Sequence, residues 1–121
     1  MRWNLDKKRP ICPQIVEQFC ILIASGELQP GDRLASVREV ALAAGVTPNT
    51  VQKSFEQLEE KGAIYSIRGS GWYVGDNNGV ARKVLDHLVH NKTKSYLNDM
   101  QAIGLDVDQI IDLIKEEYRY E

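Results

Sequence analysis

Ser36-Val37-Arg38-Glu39-Val40-Ala41-Leu42-Ala43-Ala44-Gly45-Val46-Thr47-Pro48-Asn49-Thr50-Val51-Gln52-Lys53 reads as two helices joined by a tight turn. Ser36 can accept from the free N–H groups of a helix start while Glu39, three residues on, reaches back to the cap, which makes a capping box. Val37, Val40, Ala41 and Ala44 then face inward. Gly45, with no side chain, suits the left-handed exit of a short helix. Thr47 caps the next helix and Pro48 takes its first position, where a missing N–H costs nothing; Gly62 closes it. On a helical wheel Val51, Phe55 and Leu58 share one face, and Asn49, Gln52, Lys53, Glu56 and Glu60 lie opposite. A short helix, a Gly-containing turn and a capped amphipathic helix form the helix-turn-helix signature.

Upstream, Trp3 and Leu5 alternate with polar neighbours, and Pro10 and Pro13 mark the entry to a first helix expected from Pro13 to about Ser25. Ile15, Val16, Phe19, Leu22 and Ile23 recur along it at helical spacing. Gly26 stops it, and Gln29-Pro30-Gly31-Asp32 reads as a tight turn. Downstream, Ala63 to Ile67 and Trp72-Tyr73-Val74 flank Arg68-Gly69-Ser70-Gly71, two β-rich runs around a Gly-rich turn. Helix-turn-helix followed directly by a hairpin predicts a winged helix.

Gly75-Asp76-Asn77-Asn78-Gly79 is a polar linker. Beyond it a helix is expected from Val80 to about Met100, with Ala81, Val84, Leu85 and Leu88 on one side, ending before Gly104. Asp106 and Gln109 make a second capping box, and Val107, Ile110, Ile111, Ile114 and Tyr118 line one face of a last helix. Two amphipathic helices have too little chain to cover both stripes, and the simplest cover is the same segment of a second copy. The expectation is therefore a mainly α chain with a small β-hairpin. Residues 1–75 are expected to form a winged helix-turn-helix, an arrangement suited to placing a helix in a DNA groove, and residues 76–121 a two-helix dimerisation tail. The pairing side chains are Val84, Leu88, Val107, Ile110, Ile111, Ile114 and Tyr118.

Composition agrees with a folded chain: 43% apolar and 26% charged residues, net charge −2, far from the low-apolar, high-charge profile of disorder. Residues 1–75 hold nine basic and eight acidic residues and residues 76–121 six and nine, so the front is nearly neutral and the tail acidic. Charge thus permits a nucleic-acid partner without advertising one. No apolar run approaches a membrane span, and the charged start (Met1, Arg2, Asp6, Lys7, Lys8, Arg9) leads into no signal-peptide core. Cys12 and Cys20 form no CxxC pair, so neither a zinc knuckle nor a disulfide framework is expected, and a reduced cytoplasm fits best.

A recognition helix presents its N-terminal residues to base edges and its dipole end to phosphates. Thr47, Asn49, Thr50, Gln52 and Lys53 cluster there: Asn and Gln can pair with adenine in two-point fashion, Lys suits guanine or phosphate, and Thr hydroxyls suit phosphate. The same residues also describe an ordinary solvated face, and the surrounding pattern decides for DNA. Arg38 is a phosphate or guanine contact or a surface ion-pair partner. Arg68 with Gly69, Ser70 and Gly71 forms a wing tip that can approach a phosphate or a minor groove. Lys7, Lys8 and Arg9 form a short charge run, most simply solvated surface. His87 and His90, three apart, are two ligands without a third, so no metal is expected. No nucleophile has an evident base and no phosphate loop occurs, so neither catalysis nor a cofactor is expected.

The runs Gly26 to Leu34, Ser36 to Ala41, Gly45 to Val51, Leu58 to Gly62 and Gly69 to Val74 resemble the GntR family of bacterial regulators, across about residues 10–75. The short two-helix tail resembles the YtrA subfamily, whose members dimerise through it and lack a large effector domain. The resemblance implies a homodimer on a pseudo-palindromic double-stranded DNA operator, usually as a repressor. Its DNA contacts would fall on Arg38, Thr47, Asn49, Thr50, Gln52 and Gly69 to Gly71. Ala35 stands where the family usually has Pro, and Cys12 where it usually has an aromatic ahead of the first helix. The competing reading is a winged helix used for protein contact, with Glu56, Glu59 and Glu60 as its motive. A small-molecule effector is left open.

Overall fold

The computed structural model describes residues 3–76 and 78–120. Met1 and Arg2 of the charged start, and Asn77 of the linker, lie outside the described residues. The elements run α1 (Ile11–Ala24), α2 (Val37–Ala44), α3 (Pro48–Glu60), β1 (Ile64–Ile67), β2 (Gly71–Val74), α4 (Asn78–Ala102) and α5 (Val107–Arg119). The chain is mainly helical with one antiparallel hairpin, and it forms two compact units that divide between Leu85 and Asp86, inside α4.

The first unit is built on apolar positions at helical spacing. Ile15, Phe19 and Ile23 of α1 meet Val40 of α2 and Val51, Phe55 and Leu58 of α3, and Ile64 and Val74 of the hairpin close the same core. Four rings run through it edge to face: Trp3 to Phe19 at 5.7 Å, Phe19 to Phe55 at 5.4 Å and Phe55 to Trp72 at 5.6 Å. That geometry suits ring quadrupoles and ties the segment before α1 to the second strand. The hairpin pairs Ile64 with Val74 and Ile67 with Gly71.

Two features differ from the sequence expectation. α1 starts at Ile11, so Cys12 belongs to its first turn rather than preceding it; Pro10 stands at the cap with an extended backbone, ψ 131°. The chain from Gly31 to Leu34, of which the sequence reading placed only Gly31 and Asp32, in a tight turn, lies along β2. Gly31 N–H donates to Val74 O at 2.8 Å, Val74 N–H to Asp32 O at 2.9 Å and Leu34 N–H to Trp72 O at 2.8 Å. Backbone groups that a bare loop would leave unpaired are satisfied there.

The start of α4 also belongs to this core. Ala81 is fully buried, and Val80 and Val84 pack against the cluster. In the second unit the chain turns at Gly104, with Leu105 N–H donating to Met100 O at 3.2 Å. Asp106 and Gln109 form the expected capping box, each bond 2.9 Å long. On α5 Ile110 is buried, whereas Val107, Ile111, Ile114 and Tyr118 are exposed.

Candidate nucleic-acid interface

The site rests on how the two short helices are pinned. Ser36 Oγ accepts from Glu39 N–H at 3.1 Å, and Glu39 Oε1 accepts from Ser36 N–H at 3.3 Å. α2 leaves through Gly45 at φ 70°, a left-handed conformation that glycine adopts without steric cost. Lys7 Nζ donates to Gly45 O at 2.9 Å, so a cation sits at the negative end of α2. At the start of α3 Thr47 Oγ1 accepts from Thr50 N–H at 3.4 Å, and the two Thr hydroxyls share a 2.8 Å hydrogen bond.

On this frame Arg38 points out from α2, and Asn49 and Lys53 lie exposed on the first turns of α3. No hydrogen bond or ion pair engages these three side chains among the described residues. Gln52 is half-buried, its Nε2 donating to Glu56 Oε1 at 3.2 Å. Glu59 Oε2 accepts from Ser66 Oγ at 3.0 Å, which fastens the end of α3 to β1. Two of the three acids that motivated a protein-contact reading therefore have partners within the chain.

The wing is held from outside the hairpin. Arg33 Nη2 donates to Ser70 O at 2.7 Å, and its backbone bridges to Tyr73. Ser70 N–H closes the turn on Ile67 O at 2.9 Å. The Ser70 and Tyr73 hydroxyls are hydrogen-bonded to each other, and the Tyr73 ring stacks on Tyr65 at 5.8 Å. Gly71 has φ 143°, and a Cβ there would stand 3.1 Å from Arg33 Nε. The guanidinium thus occupies the space that a side chain at 71 would need. Gly69 and Arg68 remain at the exposed tip, the latter without a partner among the described residues.

Of the amino-terminal charge run, Lys7 is used on Gly45 and Arg9 pairs with Asp6 at 3.0 Å. Cys12 Sγ is half-buried, donating to Thr50 O at 3.3 Å and accepting from Ser54 Oγ at 3.2 Å. It therefore fills a place between α1 and α3. Burial pushes the Cys20 thiol up to about 11, so it is protonated at neutral pH and unreactive. His87 and His90 are exposed on α4, and among the described residues no group of three potential metal ligands gathers. Among the same residues no helix is long and apolar enough to cross a membrane.

Arg33, Lys7 and Cys12 are the residues whose roles the sequence did not disclose. Each acts across more than thirty-five positions of chain on a group with no local sequence signal.

The chain is similar to known proteins along most of its length. Residues 13–74 match the model for bacterial regulatory proteins of the gntR family. The chain belongs to the GntR family, whose members are DNA-binding transcription regulators. It is 34% identical over 111 residues to the HTH-type transcriptional repressor YtrA of Bacillus subtilis, covering 88% of this chain and 83% of that one. A GntR family transcriptional regulator from Listeria monocytogenes superposes with a TM-score of 0.78 at 31% identity, over 93% of this chain and 98% of that one. The DNA-binding domain of AraR in complex with operator ORE1 superposes with a TM-score of 0.54 at 25% identity, over 62% of this chain and 94% of that one.

Proposed function

We propose that this protein represses transcription by binding, as a homodimer, a pseudo-palindromic DNA operator in the cytoplasm, and that its work is binding rather than catalysis. Residues 1–75 read the DNA and residues 76–121 pair the copies. The observation that carries the reading is the set of cationic side chains left unpaired on one helix-turn-helix and its wing: Arg38, Lys53 and Arg68. Exposed cations with no internal partner are what phosphates and guanine edges require.

In this reading Asn49 and Lys53 enter the major groove from the first turns of α3. Gln52 joins them by exchanging Glu56 for a base. The shared hydroxyl bond of Thr47 and Thr50 uses one O–H, which leaves the other for a phosphate oxygen beside the helix N-terminus. Arg68, with Gly69, Ser70 and Gly71, meets the backbone or minor groove beside it. Support for an operator comes from the AraR complex, and support for repression from the name of the Bacillus relative.

Pairing rests on α5, where Val107, Ile111, Ile114 and Tyr118 leave an apolar face in solvent. Ile110 is buried and Val84 is partly buried against the core of its own chain, so they brace the segment while the exposed side chains, with Leu88, meet the partner copy. Selection from random duplexes tests the whole: an inverted repeat with half-sites about one helical turn or a small multiple apart is expected. Ile111→Asp with Ile114→Asp should turn a sedimenting dimer into a monomer. Enrichment of no motif, or a double variant that still sediments as a dimer, would refute the corresponding half.

A further inference from the structure

Ala41, Leu42, Val46 and Pro48 line a shallow depression of about 300 Å³ with Arg38 at its edge. It lies where α2 meets the first turn of α3, and Arg38 and Leu42 stand one helical turn apart on the same face of α2. Leu42 is 85% exposed, the most exposed of the large apolar side chains among the described residues. The depression is too open to enclose a small effector, because such ligands bury most of their surface in their sites.

Resting on the DNA-binding reading, we infer that this depression receives the 5-methyl group of a thymine adjoining a guanine bound by Arg38, so that Leu42 and Pro48 set specificity at that position. Pro48 is the first residue of the helix whose N-terminal end faces base edges. A major groove offers polar edges almost everywhere, and its one apolar group is the thymine methyl. An apolar hollow at that end therefore has one partner of its own chemistry, and the unpaired guanidinium beside it matches guanine O6 and N7. A leucine held in solvent is then explained by what covers it in the complex.

The test uses the full chain and its selected operator. Each thymine of one half-site is replaced in turn by deoxyuridine, which removes the methyl and leaves the base pair intact. Kd is measured for the native chain, Leu42→Ala and Pro48→Ala. One position is expected at which loss of the methyl weakens native binding about fourfold, the worth of one buried methyl. Leu42→Ala, a change at an exposed side chain that opens no core, should reduce that discrimination toward unity while binding the uracil operator as the native chain does. Pro48→Ala should act in the same direction. If no thymine shows the effect, or if it persists undiminished in both variants while operator binding stays specific, the inference fails and the regulator reading stands. If no duplex is bound specifically, both fail together.

Discussion

Gly71→Ala tests how the wing is built. Its φ of 143° lies where an L-residue is strained, and the new Cβ would stand 3.1 Å from Arg33 Nε and 3.3 Å from Nη2. Backbone strain of this kind costs about 1–3 kcal/mol. The crowding is relieved only if Arg33 swings away and gives up its 2.7 Å bond to Ser70 O, a loss of about 1 kcal/mol for a bond exposed to water. The single change should therefore destabilise by about 2–4 kcal/mol, and Arg33→Ala alone by about 1 kcal/mol. The two effects share a component, since Gly71→Ala already breaks the Arg33 bond. The double variant should cost no more than Gly71→Ala alone, a coupling of about 1 kcal/mol. Urea unfolding of the four proteins at one protein concentration reads this as midpoint shifts at constant slope. Strict additivity would refute the claim that the guanidinium occupies the place of a side chain at 71.

Phe55→Ala removes the middle of the ring series and empties a fully buried site; a loss of about 3–5 kcal/mol is expected, read as a fall in Tm, and a loss under about 1 kcal/mol would contradict the packing. Thr47→Ala deletes the cap of α3 and should cost about 1 kcal/mol in urea unfolding, most of it restored by Thr47→Ser. Cys20 gives a pH dependence. Its thiol ionises near 9.0 when unfolded and near 11 in the core, so above pH 9 the unfolded chain loses this proton first and binds fewer protons than the folded one. Stability must then fall as pH rises from about 9 to about 11, and the fall should shrink in Cys20→Ala, measured by denaturant midpoint across that range.

The parts of the fold that could be read from the sequence are those whose cause is local. The boxes Ser36 with Glu39 and Asp106 with Gln109, and the Thr47-Pro48 start of α3, are satisfied within three residues, so spacing alone reveals them. The apolar faces of α1 and α3 were equally plain, because burial follows the helical period. What escaped depends on partners far along the chain. Nothing near Arg33 announces that it ends on Ser70 O, nor anything near Lys7 that it caps α2 at Gly45. Gln29 to Asp32 has the composition of a turn, and only the edge of β2 gives Gly31 to Leu34 partners. The stripe of α4 shows that Ala81 and Val84 face something apolar but cannot say what; they join the core of the first unit. The polar end of α3 could be listed by residue type, but not that Gln52 leans on Glu56 while Asn49 and Lys53 stand free.

Sequence-specific DNA binding through the first turns of α3 can be measured directly. The direct measurement is the affinity of the native chain and of Asn49→Ala for the selected operator and for a scrambled duplex of equal length, at two salt concentrations. A preference for the operator of roughly 10³-fold or more is expected, with affinity for both duplexes falling steeply as salt rises. Asn49→Ala should weaken operator binding about tenfold, as loss of one two-point base contact would, and leave the scrambled duplex unaffected. Equal loss on both duplexes, or no preference in the native chain, would contradict sequence-specific binding through α3.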